Sequence, residues 1–410
     1  MYLLSQRDAR AREFDLNLRN PLSLPGTGWR TVSPADLPAA QRVLDLRATD
    51  PGGLFASSAR LLGPPHAWCV LGDNVIGVTG WSGVSLEDQY RAVHEGAAAF
   101  IASAMLYLRV SGKDAGAALD ALSPRAVSDM PVGGARFVLF TTPAGTVDEE
   151  AVVVRTGPDR FEMSCGGGKP PGWLASVAEQ FDDVTVGPGD LRSFNIKGPN
   201  RLTAAQSLVG RDDAELVAAL RPFQSCAVRP VAGGEARVVR TIIGYEVWAA
   251  PDVLASVWTH LLTERPGIVP CAWDLLNTYR LECPDIVFAL YPVDMHSGTT
   301  LWEVGQGRVV RNSDGHDHVG RKALLEAEYS PRLRLVGLRS ATEVAPPETG
   351  GVVLDRSGEF LGHVTSAAFS PRHGRTLAFA HLLPQCTPGA EVLVDDTPWT
   401  TTPLPVAGAR

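Results

Sequence analysis

Hydrophobic and polar positions along this chain predict helices and strands that follow one another, with a run of strands at the C-terminal end. Apolar residues recur at helical spacing in some segments and alternate with polar residues in shorter ones. The predicted helices cover residues 86–95, 114–122, 173–181, 201–208, 252–264 and 272–283. Strands are predicted near the C-terminus at 351–355, 359–365, 376–381 and 391–395.

A β-hairpin is predicted from residues 136–142 and 147–155, and its second strand begins with three consecutive acids. Because side chains alternate across a strand, Asp148 and Glu150 share one face and Glu149 occupies the other. The acids are either a solvated strand end or include one carboxylate that enters a cleft. In a cleft, desolvation would tune that carboxylate for hydrogen bonding or proton transfer.

Two further charged residues stand in apolar surroundings. Glu246 follows Gly244 and Tyr245 at a break between two predicted strands, and a carboxylate there can accept two N–H donors at once. Arg280 lies late in the predicted helix 272–283. It is either part of a surface salt bridge or a rigid donor fork for a planar, heteroatom-rich ligand.

Composition excludes some classes of partner. The chain has 410 residues, which is enough for two or three domains, and a net charge of -8. That charge argues against nucleic acid and anionic membranes, because phosphate binding needs clustered Lys and Arg. The start lacks the apolar core of a signal peptide, and the longest apolar run, Ala97–Leu106, is too short to span a bilayer. Six scattered cysteines without C-x-x-C spacing predict reduced thiols in the cytoplasm.

The segment His316-Asp317-His318, preceded by Asp314, is the one candidate for metal ligation in the sequence. Adjacent side chains in a loop rarely converge on one ion, and no distant ligand completes the set. The segment is therefore interpreted as a polar turn, and no metal is predicted.

Four motifs in the C-terminal half occur in an order that resembles the folate-dependent aminomethyltransferases, the glycine-cleavage T-proteins and their demethylase relatives. The family patterns are A-R-D-x-L-R-L-E, a polar stretch D-x-x-x-x-T, [IV]-G-[RK]-x-A-L and R-x-L-V-G-L. The corresponding segments are Leu275–Glu282, Asp294–Thr299, Val319–Leu324 and Arg334–Leu338. Gly362–Ser366 and Leu377–Ala380 match a later small-barrel pattern, so that the resemblance covers roughly residues 81–395.

The resemblance implies an α+β, T-protein-like fold. Two interleaved α/β domains would surround a central folate channel, followed by a small C-terminal β-barrel. The expected boundaries are an N-terminal extension over residues 1–66, a folate-binding core over 67–330 and the barrel over 331–410. Tetrahydrofolate, or a methyl or methylene derivative of it, is the implied cofactor.

The resemblance also implies roles for individual residues. Glu246 matches the family glutamate that hydrogen-bonds the amino-pyrimidinone edge of the pterin, and Arg280 is expected to help to hold the folate. Tyr245 and Phe137 complete the expected cofactor-binding set. Glu150 is the candidate for the proton or electrostatic role, with Glu149 as the fallback, because the two lie over a pair of family aspartates.

This sequence departs from the family pattern at several of these places. Glutamates replace the two hairpin aspartates, and Val239-Arg240-Thr241 stands where the family has G-Y-T-G-E. The family strand D-V-S-H-M becomes Ile101–Met105, which has neither the Asp nor the His, in a stretch that pattern alone would continue as a helix. These losses predict a larger or drier pocket and a substrate other than a lipoyl-bound aminomethyl group.

The resulting hypothesis is a tetrahydrofolate-dependent enzyme that moves a methyl group between a small O-, N- or S-methylated molecule and the cofactor. One alternative is a folate-binding assembly or regulatory factor without catalytic activity, although the K-G-C-x-x-G-Q-E motif of such relatives is missing. Another is an aminomethyltransferase that acts on a glycine-derived substrate. A last alternative is a protein whose altered pocket no longer binds folate.

Overall fold

The computed structural model describes residues 29–32, 53–71, 74–102, 105–166, 170–283, 294–295, 298–311 and 315–406. The described chain forms two compact units. Of the described residues, the sheet unit contains those from Trp29 to Phe140 and from Glu149 to Leu275, and the barrel unit contains Thr141–Asp148 and those from Leu276 onward.

Helices and strands follow each other closely through the described residues. The helices are α1 (Leu54–Leu62), α2 (Leu86–Glu95), α3 (Ala115–Asp120), α4 (Leu174–Ala178), α5 (Arg201–Ser207), α6 (Arg211–Ala219), α7 (Pro251–Glu264), α8 (Trp273–Glu282), α9 (Gly307–Arg311) and α10 (Arg321–Ala327). The strands up to the end of the sheet unit are β1 (Trp29–Val32), β2 (Trp68–Leu71), β3 (Asn74–Val78), β4 (Ala97–Ile101), β5 (Leu106–Ser111), β6 (Ala135–Thr141), β7 (Val147–Gly157), β8 (Arg160–Cys165), β9 (Thr185–Pro188), β10 (Arg192–Lys197), β11 (Gln224–Val228), β12 (Ala236–Arg240), β13 (Gly244–Ala249) and β14 (Ile268–Cys271). The remaining strands are β15 (Arg334–Ser340), β16 (Val352–Leu354), β17 (Phe360–Ser370), β18 (Arg375–Leu382), β19 (Glu391–Val394) and β20 (Thr397–Thr402).

Two larger sheets dominate the sheet unit. One has the strand order β11-β12-β13-β10-β4-β14, in which β14 runs parallel to β4 and the other neighbours are antiparallel. The other has the order β6-β7-β8-β5-β9. A small sheet, β1-β2-β3, accompanies them. In the first of these sheets β10 is a central strand, hydrogen-bonded to β13 on one side and to β4 on the other.

The main core of the sheet unit lies on one face of the sheet that contains β10. Phe194 and Tyr245 are buried there against helices α5, α6 and α7. The rings of Phe194 and Trp258 of α7 are 5.2 Å apart in a T-shaped arrangement, which is a favourable geometry for two aromatic rings. The opposite face of the same sheet meets residues of the sheet that contains β5, through a second apolar cluster.

Helix α1 is part of this core although the sequence pattern did not predict it. Leu54 is fully buried among the core residues. The indole Nε1 of Trp258 donates a hydrogen bond of 2.9 Å to Ser58 Oγ. Residues 54–62 of the expected N-terminal extension therefore belong to the body of the sheet unit, while the helix predicted at 38–46 lies outside the described residues.

The barrel unit contains a closed barrel in the order β15-β18-β17-β16-β19-β20. Its interior is filled by apolar side chains, among them the fully buried Leu338, Val364 and Ala380. Gly362 is needed where β17 approaches β18, because a Cβ there would lie 1.9 Å from the carbonyl oxygen of His381. The mixed α/β organisation and the C-terminal barrel expected from the sequence are confirmed.

The alanine-rich stretch after α2 forms a strand and not a continuation of the helix. The helix ends at Glu95, and β4 begins at Ala97, four residues before the strand that the motif comparison placed at Ile101–Met105. Ala97–Phe100 are buried and bonded to β10 on one side and β14 on the other. Sheet pairing and burial therefore override the helical preference of alanine.

Candidate functional site

A group of aromatic and apolar side chains fills the space between the two larger sheets of the sheet unit. We call this group the inter-sheet cluster; its buried members are Tyr107, Ala135, Val154, Val239 and Trp248. The rings of Tyr107 and Trp248 meet edge to face with centroids 5.5 Å apart. Polar side chains from both sheets border this cluster, and they form the candidate site.

Glu246 borders the inter-sheet cluster from β13. It lies two residues before Trp248, so both side chains point to the same face of the sheet. The indole Nε1 of Trp248 donates a hydrogen bond of 2.8 Å to Glu246 Oε2. Burial raises the pKa of the Glu246 carboxyl, and this hydrogen bond and the charge of Lys197 lower it in part. Within the described part of the chain, no protein group donates a hydrogen bond to Oε1 of Glu246.

Tyr107 links the two sheets. Its hydroxyl donates a hydrogen bond of 2.6 Å to Ser193 Oγ on β10. Burial, reinforced by the nearby Glu246 carboxylate, raises the pKa of Tyr107, so that the phenol stays protonated at neutral pH. The guanidinium carbon of Arg192 lies 5.5 Å from the centre of the Tyr107 ring. The tyrosine is thereby fixed in place on both sides.

Strand β10 contributes polar residues that the sequence analysis did not single out. Ser193, Asn195 and Lys197 share one face of the strand because they are two residues apart. Asn195 lies directly opposite Glu246 in the register between β10 and β13. The signal in the sequence was an alternation of these polar residues with the apolar Phe194 and Ile196.

The structure separates the two hairpin glutamates as the alternation predicted. Glu149 is 3% exposed and Glu150 is partly exposed. Glu150 shares its face of β7 with Val152 and Val154, which contact or belong to the inter-sheet cluster, whereas Glu149 points to the other side. The fallback residue Glu149 therefore cannot replace Glu150 at this face.

The carboxylate of Glu150 lies over Gly166, the residue that follows β8. A Cβ at position 166 would lie 2.4 Å from Oε1 of Glu150. The backbone N–H of Gly166 also donates a hydrogen bond of 3.0 Å to the carbonyl oxygen of Glu150. The absence of a side chain at Gly166 thus defines where the carboxylate rests.

The two aromatic residues expected to contact the cofactor lie in different places. Phe137 is 8% exposed on β6, two residues after Ala135 of the inter-sheet cluster, and so shares its face. Tyr245 is 2% exposed in the main core, on the side of β13 opposite to Glu246, with Arg240 over its ring at 5.9 Å. Neighbouring residues of a strand point to opposite faces, so Tyr245 is a core residue and its expected ligand contact is corrected.

Arg280 does not form an open donor fork in the barrel unit. Its Nη1 donates a 2.6 Å hydrogen bond to Asp294 Oδ2, its Nε donates a 2.9 Å bond to Asn277 Oδ1, and its Nη2 contacts Ser366 Oγ. The side chain is 4% exposed, and its charge is balanced by the fully buried Asp294. The expected folate contact of Arg280 is therefore corrected to a structural one, because protein groups engage all three guanidinium nitrogens.

Other candidate sites carry less chemistry. Among the described residues, no group of three His, Cys, Asp or Glu side chains is placed to hold a metal ion. A cleft of about 570 Å³ opens elsewhere in the sheet unit between α2 and residues 266–270, and two of its three charged residues, Asp88 and Arg91, pair with each other. Within the described ranges, every helix is too short or too polar to traverse a lipid bilayer.

Comparison with known protein families identifies the family to which this chain belongs. Residues 79–314 match the family model described as the GCVT N-terminal domain, and residues 334–402 match the glycine cleavage T-protein C-terminal barrel domain. The chain belongs to the glycine cleavage T-protein family. Aminomethyltransferases of this family use tetrahydrofolate.

Individual T-protein relatives agree with this placement. An aminomethyltransferase of Streptomyces avermitilis is 29% identical over 313 residues, which is 73% of this chain and 81% of the relative. An aminomethyltransferase of Thermotoga maritima is 29% identical over 325 residues, 76% of this chain and 86% of the relative. The crystal structure of the glycine cleavage system aminomethyltransferase T from Bartonella henselae superposes with a TM-score of 0.74 at 18% identity, covering 86% of this chain and 96% of that one. This similarity shows that the T-protein fold is shared.

The residues at the inter-sheet face fit the reduced pterin of the T-protein cofactor. A pterin is planar and ends in a 2-amino-4-oxo pyrimidine edge, whose N–H groups need acceptors. Oε1 of Glu246 is open to such donors, while Trp248 holds the other oxygen. The buried aromatic rings of Tyr107, Trp248 and Phe137 lie at the same inter-sheet face. The donor and acceptor types present therefore match the chemistry of the group.

Proposed function

We propose that this T-protein family member is a tetrahydrofolate-dependent one-carbon transferase that moves a methyl group between a small O-, N- or S-methylated molecule and tetrahydrofolate. The observation that carries the proposal is Glu246, a half-buried carboxylate with one open oxygen at the inter-sheet cluster. A carboxylate in that state recognises a paired set of N–H donors and little else. The proposed partner is a small-molecule methyl donor or acceptor.

Binding is assigned to the groups around Glu246. Trp248 orients the carboxylate by its hydrogen bond to Oε2, and Lys197 favours its ionised form. Tyr107 stays neutral and is tied to Ser193, so it offers a rigid apolar ring face without adding a charge. These groups would hold and orient the pterin, while the apolar members of the cluster exclude water.

We assign to Glu150 the proton transfer to or from the heteroatom that carries the methyl group. Tetrahydrofolate, when bound, supplies a nucleophilic ring nitrogen that can accept or release a methyl group. The heteroatom that loses the methyl group gains an electron pair and needs a proton; the partly exposed Glu150, on the strand face shared with Val152 and Val154, supports its assignment to hold or deliver that proton. The rest of the rate enhancement would come from alignment of the reacting atoms in a site from which water is excluded.

The preference for a methyl group over an aminomethyl group is supported by what lines the site. Val239, which is fully buried in the inter-sheet cluster, lies in the stretch that replaces G-Y-T-G-E. Ile101 stands where the family strand has an aspartate. Both changes make the surroundings less polar and suit an uncharged methyl donor. The names of the relatives favour a second candidate, aminomethyl transfer from a glycine-derived substrate.

Calorimetric titration with tetrahydrofolate tests the binding part of the proposal. The unaltered protein is expected to bind in the micromolar range, and Glu246→Ala is expected to abolish the signal because the acceptor pair is removed. Glu264→Ala is the matched control, since Glu264 is exposed at the end of α7. Absence of heat with the unaltered protein would remove the proposal.

The reaction is tested by incubating the protein with tetrahydrofolate and a panel of methoxylated and methylated small molecules. Methyltetrahydrofolate detected by mass, and lost in Glu150→Gln, is the expected result. Methylenetetrahydrofolate with release of ammonia from an aminomethyl donor would favour the second candidate. Tight binding without either product would identify a folate-binding protein that is not an enzyme.

A further inference from the structure

Asn195 presents an unusual polar group at the face of the inter-sheet cluster. Its side-chain Oδ1 is buried and has no hydrogen-bond partner among the described residues. Asn195 sits in the middle of β10, with β13 bonded on one side and β4 on the other. A buried carbonyl oxygen without a donor is unfavourable, so an apolar residue would stabilise this strand better than asparagine does.

The position of Asn195 points to the ligand that completes it. It faces Glu246 directly across the β10–β13 register, which places the two Cβ atoms about 5 Å apart on the same face. Of its neighbours on this face of β10, Lys197 has donors alone, and the Ser193 oxygen accepts the hydrogen of Tyr107 and keeps one further lone pair. An open carboxylate oxygen of Glu246 and the unpartnered, buried amide oxygen of Asn195 therefore belong to neighbouring residues on one face of the sheet.

The chemistry of a 2-amino-4-oxo pyrimidine supplies one more donor than Glu246 can use. A carboxylate that binds this edge accepts the ring N–H and one hydrogen of the amino group. The second amino hydrogen then needs its own acceptor. If this N–H were buried in the complex without a hydrogen-bond acceptor, ligand binding would be weaker. A buried acceptor without a donor destabilises the folded protein for the same reason.

We propose that Asn195 is a specificity-determining residue that accepts the second hydrogen of the ligand's exocyclic amino group, next to Glu246. Asn195 and Glu246 together require a pyrimidine ring with a free amino group between two acceptors, and rings without that amino group are disfavoured. The proposal rests on the proposed function, because it assigns a further contact to the same pterin site. It names a contact that Glu246 alone does not provide.

The test compares tetrahydrofolate with the analogue that lacks the 2-amino group, by calorimetry on the full-length chain. Asn195→Ala is expected to weaken tetrahydrofolate binding about tenfold, the effect of one net hydrogen bond. The same variant is expected to bind the analogue within about twofold of the unaltered protein, because the lost acceptor has no donor there. Asn200→Ala, at an exposed residue before α5, is the matched control and is expected to change neither affinity.

Three results would overturn the inference. Equal tetrahydrofolate affinity of Asn195→Ala and the unaltered protein would show that the amide makes no contact. An equal loss for both ligands would show a structural role instead. Absence of tetrahydrofolate binding by the unaltered protein would overturn the proposed function together with this inference. Asn195→Leu, which keeps the side-chain volume, is measured in the same way if the alanine variant does not fold.

Discussion

Glu246 shows how one carboxyl can be both desolvated and poised to accept hydrogen bonds. Burial favours its protonated form, while the Trp248 hydrogen bond and the Lys197 charge favour the ionised form. The ionised form is the one that accepts N–H donors. The balance of these effects makes ligand binding at this residue dependent on pH.

Tetrahydrofolate affinity is expected to rise as pH increases through the raised pKa of Glu246 and to fall on acidification. Lys197→Met removes a charge that lowers this pKa, and should move the transition to higher pH. Calorimetric dissociation constants between about pH 5 and 8 measure both curves. Glu246→Gln is the control, since it cannot titrate and reports any ionisation of the ligand itself.

The same raised pKa acts in the opposite sense on the ligand-free protein. When the pKa of a carboxyl is higher in the folded than in the unfolded protein, protonation of that carboxyl stabilises the folded state. Its stabilising contribution is therefore present at low pH and is lost as pH rises from the unfolded pKa through the folded one.

For the binding experiment, a tetrahydrofolate affinity that is independent of pH in both the unaltered protein and Lys197→Met would contradict the role of Glu246.

Gly166→Ala is expected to displace the carboxylate of Glu150, because the new Cβ would lie 2.4 Å from its Oε1. A shift of about 1 Å in a catalytic group can cost about 100-fold in turnover. Stability should change little, since the end of a flexible side chain can move aside. Turnover and tetrahydrofolate affinity are measured separately, and the affinity is expected to be kept.

Gly187→Ala is the matched control for this change, because a Cβ at position 187 meets no atom within 4 Å. Unchanged turnover in Gly166→Ala would argue against a role of Glu150 in the reaction. A loss of folding stability comparable to that of a core substitution would show instead that the strand itself had moved.

Single residues also mark where reasoning from the sequence succeeded and where it stopped. Alternation placed Glu149 and Glu150 on opposite faces correctly, because period two is a local property of any strand. Motif position alone could not tell Tyr245 from Glu246, although the two point to opposite sides of one sheet. Asn195 was not recognised because its significance depends on a neighbour fifty-one positions away, which strand pairing alone supplies.

At the scale of elements, the helix α8 and the barrel are joined by a buried ionic group. Arg280 and Asp294 form the pair, and Asp294 also accepts a hydrogen bond of 2.8 Å from Ser366 of β17. Removing one partner of a buried pair leaves an uncompensated charge, whereas removing both does not. The sequence contained both residues, but the ion pair depends on how the chain folds between them.

Asp294→Asn and Arg280→Met are each expected to lower the free energy of unfolding by about 3–5 kcal/mol, and the double variant by less than their sum. Urea unfolding measures the four proteins of this cycle. The exposed pair Arg356 and Glu391 of the same unit is the control, and its removal should cost at most about 1 kcal/mol. Additive losses in the cycle would contradict the pairing of Arg280 with Asp294.

Strand β4 shows why some elements could not be assigned from pattern. Alanine favours the helical conformation, and none of the residues Ala97–Phe100 ends a helix. The one local signal against a helix is Gly96, just before the run. The run becomes a strand because β10 and β14 bond to its two edges. Those partners lie about 97 and 171 residues further along the chain, beyond the reach of a local pattern.

At the scale of the whole molecule, the region shared with the family is smaller than the folded body. The family match begins at residue 79, yet α1 supplies Leu54 to the core of the sheet unit. Residues before the match are thus needed for the integrity of the site-bearing unit. The composition and charge of the chain argued against some classes of partner, but they could not indicate this contribution.

Leu54→Ala is expected to lower the free energy of unfolding by about 2–5 kcal/mol, as removal of a fully buried leucine side chain does. Leu61→Ala, in the same helix but with its side chain 50% exposed, is the matched control and should change stability by less than about 0.5 kcal/mol. Chemical denaturation measures both variants. Equal effects at the two positions would show that α1 is not packed as described.

Strand β10 divides five of its six residues between two tasks. Phe194 and Ile196 hold the hydrophobic interior together, and Ser193, Asn195 and Lys197 meet whatever enters between the sheets. Residues that affect ligand preference and residues that stabilise the fold therefore alternate along this one strand. Exchanging the odd-numbered positions alone offers a route to redirect the protein toward a different heterocycle while the even-numbered positions preserve its architecture.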